Sequence, residues 1–176
     1  MRKIQSLKTL KKVILLDLRA RRVGFQFRLV LNPIIRFQIA LRIFEYLIDT
    51  QRSLSIFIFK LYFRSLSLKL GFSIPPKVFG PGLCIVHYGT IVVSPLAVVG
   101  RRARIHAGVN IGGKAGFYDY DTAVRLCPTI GSNCYIGPGA KIFGPVVLGN
   151  NCKIGANAVV TRSFAENEHT LIGVPA

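Results

Sequence analysis

Residues 130–160 read IGSNCYIGPGAKIFGPVVLGNNCKIGANAVV, with an aliphatic side chain at every sixth position: Ile130, Ile136, Ile142, Leu148, Ile154 and Val160. A helix repeats its apolar positions at three and four, and a half-buried strand at two. A strict six fits neither, and repeated hexapeptides predict a parallel β-helix. The same step runs earlier through Val93, Val99, Ile105 and Ile111, and before that through Phe79 and Ile85. The phase slips between Ile85 and Val93, where His87 sits.

Two further regularities support a solenoid. Glycine follows six of the ten aliphatic positions from Val93 to Val160 (Gly100, Gly112, Gly131, Gly137, Gly149, Gly155). This suggests corners whose backbone needs conformational freedom. The fourth place after the aliphatic residue is small: Ala97, Ala103, Cys134, Ala140, Cys152, Ala158. Cys134 and Cys152 lie eighteen residues apart, so with three hexapeptides per coil they stack as reduced packing residues rather than as a disulfide. Between Ile111 and Ile130 the spacing grows to nineteen, which predicts a loop extruded over about 114–128 and a binding face built on it.

Residues 1–72 have a different character. They hold fifteen Lys/Arg against three acids, whereas residues 73–176 hold nine against four, within a net charge of +17. Asn32-Pro33 starts a helix expected over about 33–49, and a second runs over about 53–70 to Gly71, ahead of Ile74-Pro75-Pro76. Residues 1–30 carry a weaker helical pattern. These helices are apolar on more than one face, as in LSIFIFKLYF (54–63), and serve oligomerisation or a membrane surface. Such a composition is too apolar for a nucleic-acid arm, so no nucleic acid is expected. Lys60, Arg64 and Lys69 interrupt the best candidate span, and Val13–Leu16 is too short for a secretory leader. A cytoplasmic location, peripheral at the inner face of the plasma membrane, follows as the expectation.

The segment IVHYGTIVVSPLAVVGRRARIHAGVNIGG (85–113), the coils IGPGAKIFG (136–144) and KIGANAVV (153–160) and the closing GVPA (173–176) resemble the serine acetyltransferase branch of the hexapeptide acyltransferases. Within that branch the basic helical N-terminal part and Cys127-Pro128 look closest to polysaccharide acetyltransferases of the colanic acid biosynthesis type. The resemblance implies a left-handed parallel β-helix over 73–176 behind the helical region 1–72, a homotrimer, and acetyl-CoA as co-substrate without a metal. It implies His87 as the general base of a direct transfer, because a neutral imidazole can take a proton from a hydroxyl as it attacks a thioester. A backbone N–H around Gly112-Gly113 would receive the oxyanion. Coenzyme A would lie along Gly112, Gly113, Pro138 and Ala156, with Lys141, Lys153 and Arg162 either at its phosphates or simply solvated.

His106 sits in a glycine slot of the repeat, either supporting the acceptor and His87 or exposed as a spectator. His169 reads as an exposed residue. Three departures from the branch stand out: Val86 and Leu126-Cys127 replace an aspartate and a histidine, and Ser73 replaces an orienting aspartate. Ser73, Asp119, Asp121 and Arg125 are the groups that would support the site in its stead. Without a carboxylate for an ammonium, the expected acceptor is a sugar hydroxyl of a capsule, exopolysaccharide or lipid-linked unit. The alternatives are serine O-acetylation and a noncatalytic scaffold. The slip at His87, the histidine at 106 and the loop are expected to converge on one place.

Overall fold

The computed structural model describes residues 3–21, 31–116 and 119–176. Three helices come first: α1 (Leu7–Ala20), α2 (Pro33–Asp49) and α3 (Ser53–Leu70). Ser6 caps α1 through the Thr9 amide, and Asn32 caps α2 by accepting from the amides of Ile34 and Ile35. Helix α3 stops at Gly71, whose φ of 73° is the left-handed conformation that ends helices without a side-chain clash. Part of the helical pattern expected over 1–30, at 1–2 and 22–30, lies outside the described residues, as do Phe117 and Tyr118 of the loop.

Short strands follow: β1 (Phe72–Ser73), β2 (Cys84–Ile85), β3 (Ile91–Val93), β4 (Val98–Val99), β5 (Arg104–Ile105) and β6 (Asn110–Gly112). After a short helix α4 (Tyr120–Arg125) come β7 (Thr129–Ile130), β8 (Tyr135–Ile136), β9 (Lys141–Phe143), β10 (Val147–Leu148), β11 (Lys153–Ile154), β12 (Val159–Val160) and β13 (Thr170–Leu171). They form three parallel sheets: face I is β1-β3-β6-β9-β12, face II is β4-β7-β10, and face III is β2-β5-β8-β11-β13. The chain visits I, II and III in turn, which is a parallel β-helix. Ile136 pairs with Ile154 and Ile142 with Val160, so one coil takes eighteen residues. Cys134 and Cys152 therefore occupy equivalent places on adjacent coils; both are buried and free. Burial pushes the Cys134 thiol up to about 11.

The register also measures the two breaks in the sequence. Ile85 pairs with Ile105, twenty residues on, so the corner holding His87 carries two extra residues. Val99 pairs with Ile130, thirty-one residues on, so the loop adds thirteen. The first lies at the corner from face III to face I, the second at the corner from face I to face II.

The glycines after the aliphatic positions answer to a constraint other than conformational freedom. None of the six adopts a positive φ; the left-handed conformations at the corner from face II to face III fall on Arg102, Asn133 and Asn151. At Gly100, Gly131, Gly137 and Gly149 what demands glycine is the stacked backbone of the next coil. A Cβ on Gly100 would come within 2.6 Å of the Gly131 backbone, and one on Gly131 within 2.4 Å of the Gly149 carbonyl oxygen. Backbone cannot yield as a side-chain tip can.

The helices close the first end of the solenoid. Phe37 of α2 stacks on Phe63 of α3 (5.2 Å) and meets Phe72 of β1 edge-on (5.0 Å). The buried faces of α2 and α3 join the same core as the coil interior, from Phe79 to Val160. Alongside runs a buried polar stripe at helical spacing on α2: Gln38, Arg42 and Glu45. Arg42 donates to both carboxylate oxygens of Asp17, to Glu45, and to the carbonyls of Phe79 and Gly80. Burial alone would lower the Arg42 guanidinium, but Asp17 and Glu45 reverse this and hold it above its ordinary value.

Arg42→Ala leaves two buried carboxylates without their cation and is expected to cost about 3–5 kcal/mol of stability, read as a fall in the denaturant midpoint. Gly131→Ala is expected to cost about 1–3 kcal/mol by forcing two coils apart, while Gly144→Ala, beside open space but at a φ of 87°, meets backbone strain instead of a clash.

Candidate active site

His87 stands at the corner from face III to face I because the two extra residues push the chain outward there. The bulge is held at both ends: the Val86 amide donates to Ile105 (3.0 Å), and the Gly89 amide to the Leu70 carbonyl at the end of α3 (3.1 Å). Gly89 has a φ of 126°, which a side chain rarely allows. The result is an exposed imidazole on a pinned backbone.

One coil on, His106 occupies the corner place that Gly137 and Gly155 hold in later coils, as the pairing of Ile105 with Ile136 and of Ile136 with Ile154 requires. Its ring lies 5.9 Å from that of His87 and 5.1 Å from that of Tyr135. The His106 Nε2 is buried and has no hydrogen-bond partner among the described residues. Burial, then His87, then Arg104 lower its pKa, so the ring stays neutral near pH 7. Arg104, Tyr135 and Lys153 are in register along face III beside this pair, and Lys141 lies on face I, its Nζ donating to the Gly139 carbonyl (3.0 Å). Pro138 and Ala156 share the same corner on successive coils.

Tyr135 and Arg104 were not singled out in the sequence. Their signal was there, since they hold the same place in the repeat as Lys153. Arg21 was not legible at all: it reaches from the end of α1 to the Ile85 carbonyl and to Gln38 (3.1 Å), bracing the strand that leads into His87.

The other predicted residues, Ser73 on β1 apart, lie across face I, whose three-residue strands span roughly 10 Å. A Cβ on Gly113 would meet the Cys127 Sγ at 2.8 Å, and the Lys114 amide closes the neck of the loop on Leu126 (3.0 Å). Above Gly112 crosses the Phe143 ring. Asp119 accepts from the Thr122 amide (3.0 Å) as the cap of α4, and hydrogen bonds from the Thr122 side chain and then from its amide lower its pKa. Asp121 and Arg125 are exposed in the first and last turns of α4. Arg162 lies over the Phe164 ring (5.3 Å). Ser73 faces outward opposite Val92 and lines a groove with Lys60 and Arg64; among the described residues no hydrogen bond joins it to His87. Within one chain the histidine pair and the loop thus occupy opposite edges of face I.

At the loop edge opens a groove of about 560 Å³ lined by Gly113, Lys114, Leu126, Phe143, Gly144 and Thr161. Apolar walls with a lysine suit an extended acyl carrier ending in phosphates, and Gly144 leaves one wall free of side-chain atoms.

Residues 127–162 match the family described as bacterial transferase hexapeptide (six repeats). A serine acetyltransferase of Mycobacterium tuberculosis is 35% identical over 101 residues, covering 57% of this chain and 42% of that protein. The crystal structure of the Neisseria gonorrhoeae serine acetyltransferase superposes with a TM-score of 0.76 at 27% identity, covering 96% of this chain and 66% of that one. Its complex with serine gives 0.74 at 28% identity, covering 96% and 68%. The chain spans less than half of the curated relative and about two thirds of the solved ones.

These relatives overturn the sugar hydroxyl expected as acceptor, together with its capsule, exopolysaccharide or lipid-linked carrier. The physical reason lies in the two residues on which that expectation rested. Val86 is half-buried with its amide bound to Ile105, and Cys127 is buried at the neck of the loop, 3.5 Å from the Ser94 hydroxyl. Cys127 is held by packing and Val86 joins the coil through its backbone, so neither residue by itself reads the acceptor.

In an NMR titration the His106 ring is expected to protonate below the ordinary value of about 6.5, and to move back toward it in His87→Ala, which removes the neighbouring imidazole.

Proposed function

We propose that the chain is an acetyl-CoA-dependent serine O-acetyltransferase with His87 as general base. The observation that carries the reading is the exposed His87 imidazole, set on a pinned bulge beside the half-buried His106, in a chain similar along 96% of its length to solved serine acetyltransferases. His87 takes the proton of the serine hydroxyl as the oxygen attacks the thioester carbonyl. The carbon–sulfur bond then breaks, and the proton passes to the departing thiolate of coenzyme A. A neutral His106 spares the serine ammonium a second adjacent cation, and the half-buried Arg104 is at hand for the carboxylate.

The same reading takes the coil as left-handed and the assembly as a homotrimer. The two edges of face I support this: a three-fold arrangement brings the His87 corner of one subunit to the loop groove of the next, so Gly113 and Lys114 hold the donor while Pro138, Ala156, Lys141 and Lys153 line the facing corner. Residues 1–72 form the helical cap and 73–176 the acyltransferase unit.

The purified chain, given acetyl-CoA and L-serine, is expected to release coenzyme A and form O-acetylserine, and His87→Ala to lower kcat by about 10²–10⁴-fold. Activity within a few-fold of the parent would remove His87 from the role of base, and absence of serine turnover would overturn the acceptor.

A further inference from the structure

Helix α3 has two apolar faces, and among the described residues only one is covered. Phe63, Leu66 and Leu70 are buried toward α2 and β1, with Ile56 and Phe59 packed beside them. On the opposite side Leu54, Phe57, Ile58, Leu61 and Leu68 recur at helical spacing and are 60–75% exposed. An apolar strip of this kind on a folded surface marks an interaction site.

Its flanks identify the partner. At 3.6 residues per turn, Lys60 and Arg64 fall on one side of the strip and Lys69 on the other. All three are exposed, and α3 contains no acidic residue. We propose that this face lies on an anionic bilayer surface, the apolar strip sunk into the boundary of headgroups and acyl chains and the three cations set against lipid phosphates. A second copy of the chain is a poor occupant. Pairing two such faces would set cation against cation with no carboxylate from either helix, between chains that each carry a net +17. Spanning is also unsuited, because among the described residues no helix is long and apolar enough to cross a membrane. A helix with a cation-flanked strip lies in the interface plane instead. This inference stands apart from serine acetylation and does not rest on it.

The test is co-sedimentation of the full chain with phosphatidylcholine vesicles, with and without phosphatidylglycerol. Binding is expected only to the anionic vesicles, weakening about fivefold for each cation removed in Lys60→Gln, Arg64→Gln and Lys69→Gln. Phe57→Ser combined with Leu61→Ser is expected to lower it at least about tenfold with the thermal midpoint unchanged. Should the double variant unfold, Leu68→Gln asks the same question with one exposed residue. Undiminished binding by the apolar variants overturns the proposal, as does equal binding to neutral vesicles. So does sedimentation equilibrium showing a larger assembly in the parent that these variants dissolve, since a second copy would then cover the face.

Discussion

The Arg42 guanidinium holds the N-terminal end of the molecule together. All five of its N–H groups are engaged: three with the carboxylates of Asp17 and Glu45, two with the carbonyls of Phe79 and Gly80. The carboxylates pass the connection on, Asp17 to the amides of Gly82 and Leu83 and Glu45 to that of Lys77. A buried ion pair repays its desolvation only when the remaining donors and acceptors are met, and here they are met by the backbone of the first coil. The first turn of the solenoid, which has no preceding coil to pair with, is thereby held by helices.

That anchoring reaches the site. The coil clasped by Arg42 continues through Leu83, whose carbonyl accepts from Gln38, to Ile85, whose carbonyl accepts from Arg21, and then into the bulge that carries His87. The end of α3 holds the far side of the bulge through Leu70. The helical region thus positions the candidate base, and α3 does so while presenting a second apolar face outward.

The repeat was legible because solenoid stacking imposes one rule on every coil. Ile136 must lie over Ile154 and Ala140 over Ala158, so each coil states the rule again in sequence. The glycine rule was visible for the same reason, although its cause at four of the six is close approach of stacked backbone rather than a special conformation. His87 and His106 were legible as breaks of the rule. Tyr135 and Arg104 keep the rule, and so passed unremarked until the register brought them beside the histidines.

By itself the sequence determined the β-helix, the ends of α2 and α3 and the corner at which catalysis is proposed, since each follows from periodicity or from local capping chemistry, whereas the eighteen-residue coil comes from the register. Only the tertiary structure decided which breaks share a place. Two extra residues after face III and thirteen after face I look alike as interruptions, yet the path of the coil sends them to opposite edges of one sheet. Tertiary structure alone also revealed the Arg42 cluster. Asp17, Arg42 and Glu45 are ordinary charges on a basic stretch of sequence, and their burial depends on partners that are mostly backbone atoms of a distant coil. Backbone carbonyls and amides carry no residue identity, so no pattern of side chains announces them.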